Sequence, residues 1–344
     1  MTMHVGLTGG GNISETHARA LSRIPGAKLA AVFGSNAEKV SRICKEHGGK
    51  PYQDFDAFLS HRPMEMVVIG SPSGMHAAQG IEAARHGLHV LVEKPIDINS
   101  ERADALIAKC KDARVKLGVI FQDRFQPDIR RLKQLISQGM LGKPLLVDAR
   151  VKWFRPSEYY GGSRWRGTWA LDGGGALMNQ GIHTVDLLLW LLGDVRRVQA
   201  RVATLLQKIE TEDTGLALLD FANGAVGVLQ ATTAAYPGYR RRLEITGSEG
   251  TVILEQDRLI ALDLRKPSGI ALFTGEGDRN GSATSPVVSD LRGHQSAIED
   301  FIRAIEEDGM PECDGPGGRR SVALVEAIYR ASRSAQNHPH SAEG

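Results

Sequence analysis

The sequence predicts an α/β chain. An N-terminal Rossmann domain is followed by an α+β domain with an open-faced, mostly antiparallel sheet. Three observations carry this. Over the first third of the chain, short apolar runs alternate with helical patterns, the signature of βαβ units and a parallel sheet. A Gly9-Gly10-Gly11 turn directly follows the first apolar run. After Phe121 the strands become longer and more polar, and turn signals such as Ala222-Asn223-Gly224 and Gly247-Ser248-Glu249-Gly250 separate them.

In chain order, the pattern predicts strands over His4–Thr8, Lys28–Phe33, Met66–Ile69, His89–Val92 and Lys116–Val119. Helices are predicted between them over Ser14–Arg23, Ala37–His47, Asp56–His61, Met75–His86 and Ser100–Ala113. Each strand is almost continuously apolar, as expected when helices cover both faces of a sheet. A helix over Pro127–Gln138 stops at Gly139. The second sheet then runs through Leu145–Trp153, Arg197–Gln207, Thr214–Asp220, Gly224–Thr232, Arg241–Thr246 and Gly250–Leu254, with one helix near Ala176–Leu192. Residues 266–290 are rich in Gly, Ser, Asp and Pro and read as a loop. Two helices follow, over Gln295–Glu307 and Arg320–Gln336, before a frayed tail at His338–Ser341. The domains are therefore set at 1–122 and 123–344.

A chain of 344 residues with 42% hydrophobic and 24% charged residues is long enough for two globular domains. The net charge of +2 argues against a nucleic-acid footprint, which needs a basic stripe. Arg240-Arg241-Arg242 is the densest basic cluster and reads as a solvated loop, with an anion contact as the alternative. The three cysteines are scattered, so neither a metal site nor a disulfide framework is expected, and reduced cytoplasmic thiols are the simple reading. No secretory signal and no membrane span is predicted.

Four features carry chemistry. Gly9-Gly10-Gly11-Asn12-Ile13-Ser14 fits G-x-G-x-x-(G/A/S) between a strand and a helix. The glycines permit the tight turn and close approach of a pyrophosphate, and the helix N-terminus supplies unpaired N–H groups. The next strand ends in Phe33-Gly34-Ser35-Asn36, with no acid for a ribose 2′-hydroxyl. Ser35, Asn36 and Lys39 instead suit a 2′-phosphate, which points to NADP; if they are only solvated helix-start residues, the cofactor is NAD. Glu93-Lys94-Pro95 follows the buried run Val90-Leu91-Val92 and delivers an ammonium to the carboxyl edge of the sheet. Finally, three glycines at 173–175 precede a helix on which Asn179, His183, Asp186 and Trp190 are spaced to share one face. A satisfied core histidine is the plain reading of that stripe. An ammonium and an imidazole together are what hydride transfer from a secondary alcohol requires: something to hold the oxygen and a base for its proton.

On these residues the chain resembles the Gfo/Idh/MocA oxidoreductase family. Gly9 to Ser14 with His17, Pro72 with His76, Glu93-Lys94-Pro95, Trp165-Arg166-Gly167-Thr168-Trp169 and Gly173 to Asp186 all match the family pattern. The resemblance implies NAD(P)-dependent oxidation or reduction at a secondary carbinol of a sugar, cyclitol or nucleotide sugar. It implies Lys94 as alkoxide stabiliser, His183 as acid/base and Asn179 as a substrate-orienting residue. An aspartate is common at that position in inositol dehydrogenases, whereas Asn resembles members acting on nucleotide-sugar uronic acids. Cofactor contacts are expected at Gly9, Gly11, Asn12, Ile13, Ser35, Asn36, Lys39, Ser71, Pro72, His76, Glu93 and Lys94. Substrate contacts are expected at Arg124, Trp165, Arg166, Asn179 and His183. Arg155 and Arg164 are further candidates for an acidic substrate group. Trp153, Trp165, Trp169 and Tyr160 either wall a sugar site or pack at the sheet edge. The resemblance further implies C-terminal helices over 295–336 that return to the domain junction, and a homodimer or homotetramer through the open sheet face. Two other functions sit on the same scaffold: a glycosidase using transient oxidation by a retained NAD, and a non-catalytic dinucleotide-binding sensor.

Overall fold

The computed structural model describes residues 2–266 and 290–337. Apart from its two end residues, the loop expected over 266–290 lies outside the described residues, as does the tail at 338–341. The chain divides into two units. The first comprises Met1–Phe125, Ala170–Gly173 and Val287–Val322; the second comprises Gln126–Trp169, Gly174–Pro286 and Ala323–Gly344.

The first unit holds six strands: β1 (Met3–Thr8), β2 (Ala27–Phe33), β3 (Lys50–Tyr52), β4 (Met66–Ile69), β5 (His89–Glu93) and β6 (Leu117–Ile120). They form a parallel sheet in the order β3-β2-β1-β4-β5-β6. The order reverses between β1 and β4, and ligands of such sheets bind outside the carboxyl ends of the strands at that point. Strand β3 escapes sequence reading because Lys-Pro-Tyr is short and carries no apolar run. The connecting helices are α1 (Asn12–Leu21), α2 (Ala37–His47), α3 (Phe55–Leu59), α4 (His76–Arg85) and α5 (Ser100–Asp112). Asn36 and Asn99 start α2 and α5 by accepting from the backbone N–H groups of Lys39 and Arg102. The core gathers Val5, Leu7, Val32, Met66, Val68 and Leu91. Ile298 and Phe301 complete it from a much later helix, α9 (Arg292–Glu306).

The second unit is built on seven strands: β7 (Pro144–Lys152), β8 (Val195–Ala203), β9 (Thr214–Phe221), β10 (Val226–Thr232), β11 (Arg242–Gly247), β12 (Gly250–Glu255) and β13 (Arg258–Leu264). Their order is β13-β12-β11-β7-β10-β9-β8. Only the β7–β10 pair is parallel. Helices α6 (Pro127–Ser137), α7 (Ser157–Gly161) and α8 (Ile182–Leu192) precede or follow its strands, and α10 (Gly315–Asn337), which belongs to this unit from Ala323 on, comes last. Strand β9 shows the two faces plainly. Gly215, Ala217, Leu219 and Phe221 are buried, while Leu216 and Leu218 are exposed. Leu146 and Val226 extend the exposed apolar face.

Two expectations need correction. The helix read over 176–192 is in two pieces: a wide π-type turn over Ala176–Gly181, then α8. A π turn holds more residues than the 3.6 of an α-helix, so the shared face of Asn179 and His183 does not follow from spacing alone. The arginine cluster at 240–242 is not a solvated loop. Arg241 is buried and pairs with Asp257, Arg240 lies 3.6 Å from Glu255, and Arg242 lies 3.1 Å from Glu244. The β11–β12 register places Arg242 opposite Glu255, so a neighbouring strand supplies one acid, while Glu244 lies on β11 itself and Asp257 in the turn after β12.

All three cysteines are free and buried, and burial pushes the thiols of Cys44 and Cys110 up to about 11 and about 12. Among the described residues, no helix is long and apolar enough to cross a membrane.

Candidate active site

At the end of β1 the chain turns through Gly9, whose φ of +100° is a left-handed conformation. A Cβ there would lie 2.6 Å from the carbonyl oxygen of Gly70. Helix α1 then begins with Gly11 as its N-cap, in extended geometry, with no side-chain cap. Asn12 and Ile13 open its first turn, and the Ser14 hydroxyl donates back to the Thr8 carbonyl at 3.3 Å. A Cβ on Gly11 would meet nothing within 4 Å. Open space over an uncapped, positively polarised helix end fits a dinucleotide pyrophosphate. A second observation on the same sheet edge agrees: the buried Ser71 hydroxyl, just beyond β4, has no hydrogen-bond partner among the described residues. Ser35, Asn36 and Lys39 are exposed at the end of β2, where Asn36 spends its Oδ1 on the Lys39 N–H.

Strand β5 ends at Glu93, and half-buried Lys94 follows, joined to Pro95 by a cis peptide bond. Glu93 turns into the unit, 5% exposed. Its Oε1 lies 3.0 Å from His17 Nε2 of α1 and 3.8 Å from His294 Nε2 of α9, and its Oε2 accepts from the Lys94 N–H at 3.1 Å. Burial alone would raise this carboxyl. The His17 hydrogen bond and the charges of His17, His294 and Lys94 outweigh it and hold the group at about 2. Burial pushes His294 down to about 4, with Glu93 opposing the shift.

Two expected contacts are set differently by the packing. His76 is 1% exposed, and its ring nitrogens lie 2.8 Å and 2.9 Å from the carbonyl oxygens of Pro95 and Ser71. It braces the turns beside Pro72 and Lys94, and its ring is occupied in doing so. Arg124 is 5% exposed, donates to the Glu312 carbonyl at 2.8 Å and lies over Phe121. These contacts fix its guanidinium within the first unit.

In the second unit, Asn179 is half-buried, while His183 and Asp186 are buried. The neighbouring Gln180, which sequence reading passed over, organises this region. Its Oε1 accepts from Arg155 Nη2 at 3.3 Å. Its Nε2 donates to the Tyr159 hydroxyl at 3.1 Å and to Asn179 Oδ1 at 2.9 Å. The Asn179 amide oxygen is thus held by Gln180. Arg155 is 2% exposed, and burial lowers its pKa while Tyr159 and Tyr160 oppose the shift. Arg166 lies 4.3 Å from the Tyr159 ring centroid and 5.2 Å from that of Trp165, so two guanidiniums flank one phenol. The aromatic residues divide: Trp153 and Tyr160 are core, Trp165 is half-buried and Trp169 is exposed.

Glu212 was also missed, although Glu212-Asp213 directly before a strand was a visible signal. It is 3% exposed and accepts from the backbone N–H groups of Gly175 and Leu177. Burial raises its carboxyl to about 7 against the hydrogen bonds that lower it.

Residues 3–121 match the oxidoreductase family with an NAD-binding Rossmann fold, and residues 129–253 match the GFO/IDH/MocA C-terminal domain. The chain is 29% identical to inositol 2-dehydrogenase of Rhizobium meliloti (strain 1021), over 96% of this chain and 97% of that one. It is 28% identical to UDP-N-acetylglucosamine 3-dehydrogenase of Acidithiobacillus ferrooxidans, over 94% and 95%. Among solved structures, it is similar to the WlbA dehydrogenase of Bordetella pertussis in complex with NADH and UDP-GlcNAcA. That match has a TM-score of 0.87 at 33% identity and covers 97% of this chain and 96% of that one.

Proposed function

Because the chain belongs to the GFO/IDH/MocA oxidoreductase family and is a nicotinamide-dependent dehydrogenase acting on CH–OH groups, we propose that its substrate is a nucleotide sugar bearing a carboxylate. The observation that carries the reading is the uncapped Gly9–Ser14 turn with Lys94 on the same carboxyl edge of one parallel sheet. The nicotinamide nucleotide supplies the hydride acceptor or donor. Gly11, Asn12 and Ile13 would hold its pyrophosphate through backbone N–H groups, while Gly9, whose own N–H donates to the Phe33 carbonyl, makes the turn. In the oxidative direction, His183 takes the proton from the substrate hydroxyl, and the Lys94 ammonium stabilises the negative charge that develops on the oxygen. Asn179 cannot ionise; it orients the substrate rather than relaying a proton.

The acidic substrate is supported by Asn179 in place of an aspartate and by the half-buried Arg166 beside Tyr159. It is also supported by the UDP-GlcNAcA bound to the WlbA relative. Lys39 and the acid-free end of β2 favour NADP, whereas the WlbA complex holds NADH. The exposed face carrying Leu146, Leu216, Leu218 and Val226 suits a second copy of the chain, so a homo-oligomer is expected in light scattering.

The deciding experiment offers UDP-N-acetylglucosaminuronic acid, UDP-N-acetylglucosamine and myo-inositol, each with NAD and with NADP, and follows nicotinamide absorbance. Turnover of the uronic acid well above the other two supports the proposal. Preference for myo-inositol overturns the acidic-substrate reading. Release of free sugar without accumulating reduced cofactor would mark a glycosidase.

A further inference from the structure

We propose that Glu212 is a positioning residue. From a separate loop it caps the helical segment carrying Asn179 and His183, and Tyr329 holds it there. The inference rests on the reading of those two residues as part of the site.

The segment beginning at Ala176 lacks a cap of its own, because its N-cap residue, Gly175, has no side chain to offer. Three consecutive backbone N–H groups are satisfied instead by one distant residue. Gly175 donates to Glu212 Oε2 at 3.0 Å, Ala176 to the Glu212 carbonyl oxygen at 3.0 Å, and Leu177 to Glu212 Oε1 at 2.8 Å. The Tyr329 hydroxyl donates to the same Oε1 at 2.9 Å. A carboxylate suits this place because it only accepts, has lone pairs for several donors and puts negative charge at the positive end of a helix.

This contact also explains two of the three glycines. A Cβ on Gly174 would lie 2.1 Å from the Tyr329 hydroxyl oxygen, and one on Gly175 would lie 1.8 Å from the Glu212 carbonyl oxygen. Neither neighbour can retreat without unmaking the cap. The loop is itself anchored. Asp213 accepts from the N–H groups of Leu205, Leu206 and Gln207, and Gln207 donates to the Arg155 carbonyl at 2.9 Å. A segment fastened by three amides to such a loop cannot slide or rotate without breaking hydrogen bonds in a buried place. Asn179 and His183 inherit that register, and small displacements of reacting groups are costly in rate.

The test uses the full-length protein with Glu212→Gln and Tyr329→Phe. Hydrogen–deuterium exchange is measured over residues 174–183, and kcat and KM are taken on the substrate found in the panel above. Glutamine would turn an N–H donor toward one of the backbone donors. Exchange across 174–183 is then expected to accelerate by about 10-fold or more. A fall in kcat of about 10-fold or more is expected, with KM moving far less. Tyr329→Phe keeps the ring and removes one donor, so smaller changes in the same direction are expected; it carries the test if Glu212→Gln fails to fold. Exchange over 174–183 equal to wild type overturns the cap. Unchanged kcat with a loosened segment overturns the positioning role. A wild-type protein that turns over no compound of the panel refutes the substrate proposal, while the exchange data still decide on the cap.

Discussion

The first unit and the second each bury a glutamate near a candidate reacting residue, and the two titrate in opposite directions. Glu93, next to Lys94, is held at about 2; Glu212, at the head of the His183 segment, is raised to about 7. Both are almost fully buried. Both accept hydrogen bonds, and Glu212 accepts two from backbone N–H groups and one from Tyr329 through its carboxyl. The difference is the charge of what faces them. Glu93 meets His17, His294 and the Lys94 ammonium, whereas Glu212 meets backbone dipoles and a phenol. Neutral donors lower a buried carboxyl, but at Glu212 they do not offset the loss of water, whereas at Glu93 the His17 bond and the facing charges do.

The largest expected effects concern the reacting residues themselves. Lys94→Ala and His183→Ala should each lower turnover by about 10²–10⁴-fold, with cofactor affinity, measured by fluorescence titration, little changed. Undiminished turnover in either variant removes that region from the chemistry. Next come the two glutamates. Glu93→Gln strips the anion from a buried ionic cluster and should cost about 3–5 kcal/mol in urea unfolding. Glu212→Gln leaves no buried charge without its counter-ion and should cost about 1–2 kcal/mol. Equal costs would break the comparison.

The pH dependence sharpens it. Glu93 has a folded value below its ordinary 4.5, so the native state binds fewer protons than the unfolded chain. Its contribution, about 3 kcal/mol, is present above pH 4.5 and is lost as pH falls toward 2. Glu212 has a folded value above 4.5, so its contribution is present below pH 4.5 and is lost as pH rises through 7, with similar size. Urea midpoints measured against pH should lose their acid limb in Glu93→Gln and their near-neutral limb in Glu212→Gln. The smallest effects belong to Lys39 and Arg166. Lys39→Ala should weaken NADP binding a few-fold more than NAD binding, and Arg166→Ala should raise KM for an acidic sugar with little change in kcat. Loss of turnover in Arg166→Ala would move that residue into the chemistry.

The parallel sheet was legible because each of its longer strands is a local apolar run and helices α2 and α5 have local start signals at Asn36 and Asn99. Gly9 was legible for the same reason: its turn is made by residues adjacent in sequence. What stayed hidden is non-local. Glu212 reaches back to Gly175, and Tyr329 reaches Glu212 from α10, separations that no periodicity records. The Arg241–Asp257 pair depends on strand register, so a basic run could be seen but its acids could not. The bond from Arg124 to the Glu312 carbonyl was hidden in the same way, because its partner lies far along the chain. The π turn at Asn179 follows from no residue type; it shows only in the backbone.

The placement of α9 has a consequence for how the protein is made. Ile298 and Phe301 complete the core beside β5 and β6, and His294 faces Glu93, so the dinucleotide-binding unit is unfinished while only its first 125 residues have left the ribosome. At ordinary elongation speeds the missing helix arrives on the order of ten seconds later. During that interval the nascent sheet carries a bare apolar face where α9 will dock, and a chaperone that shields such faces has its natural moment there.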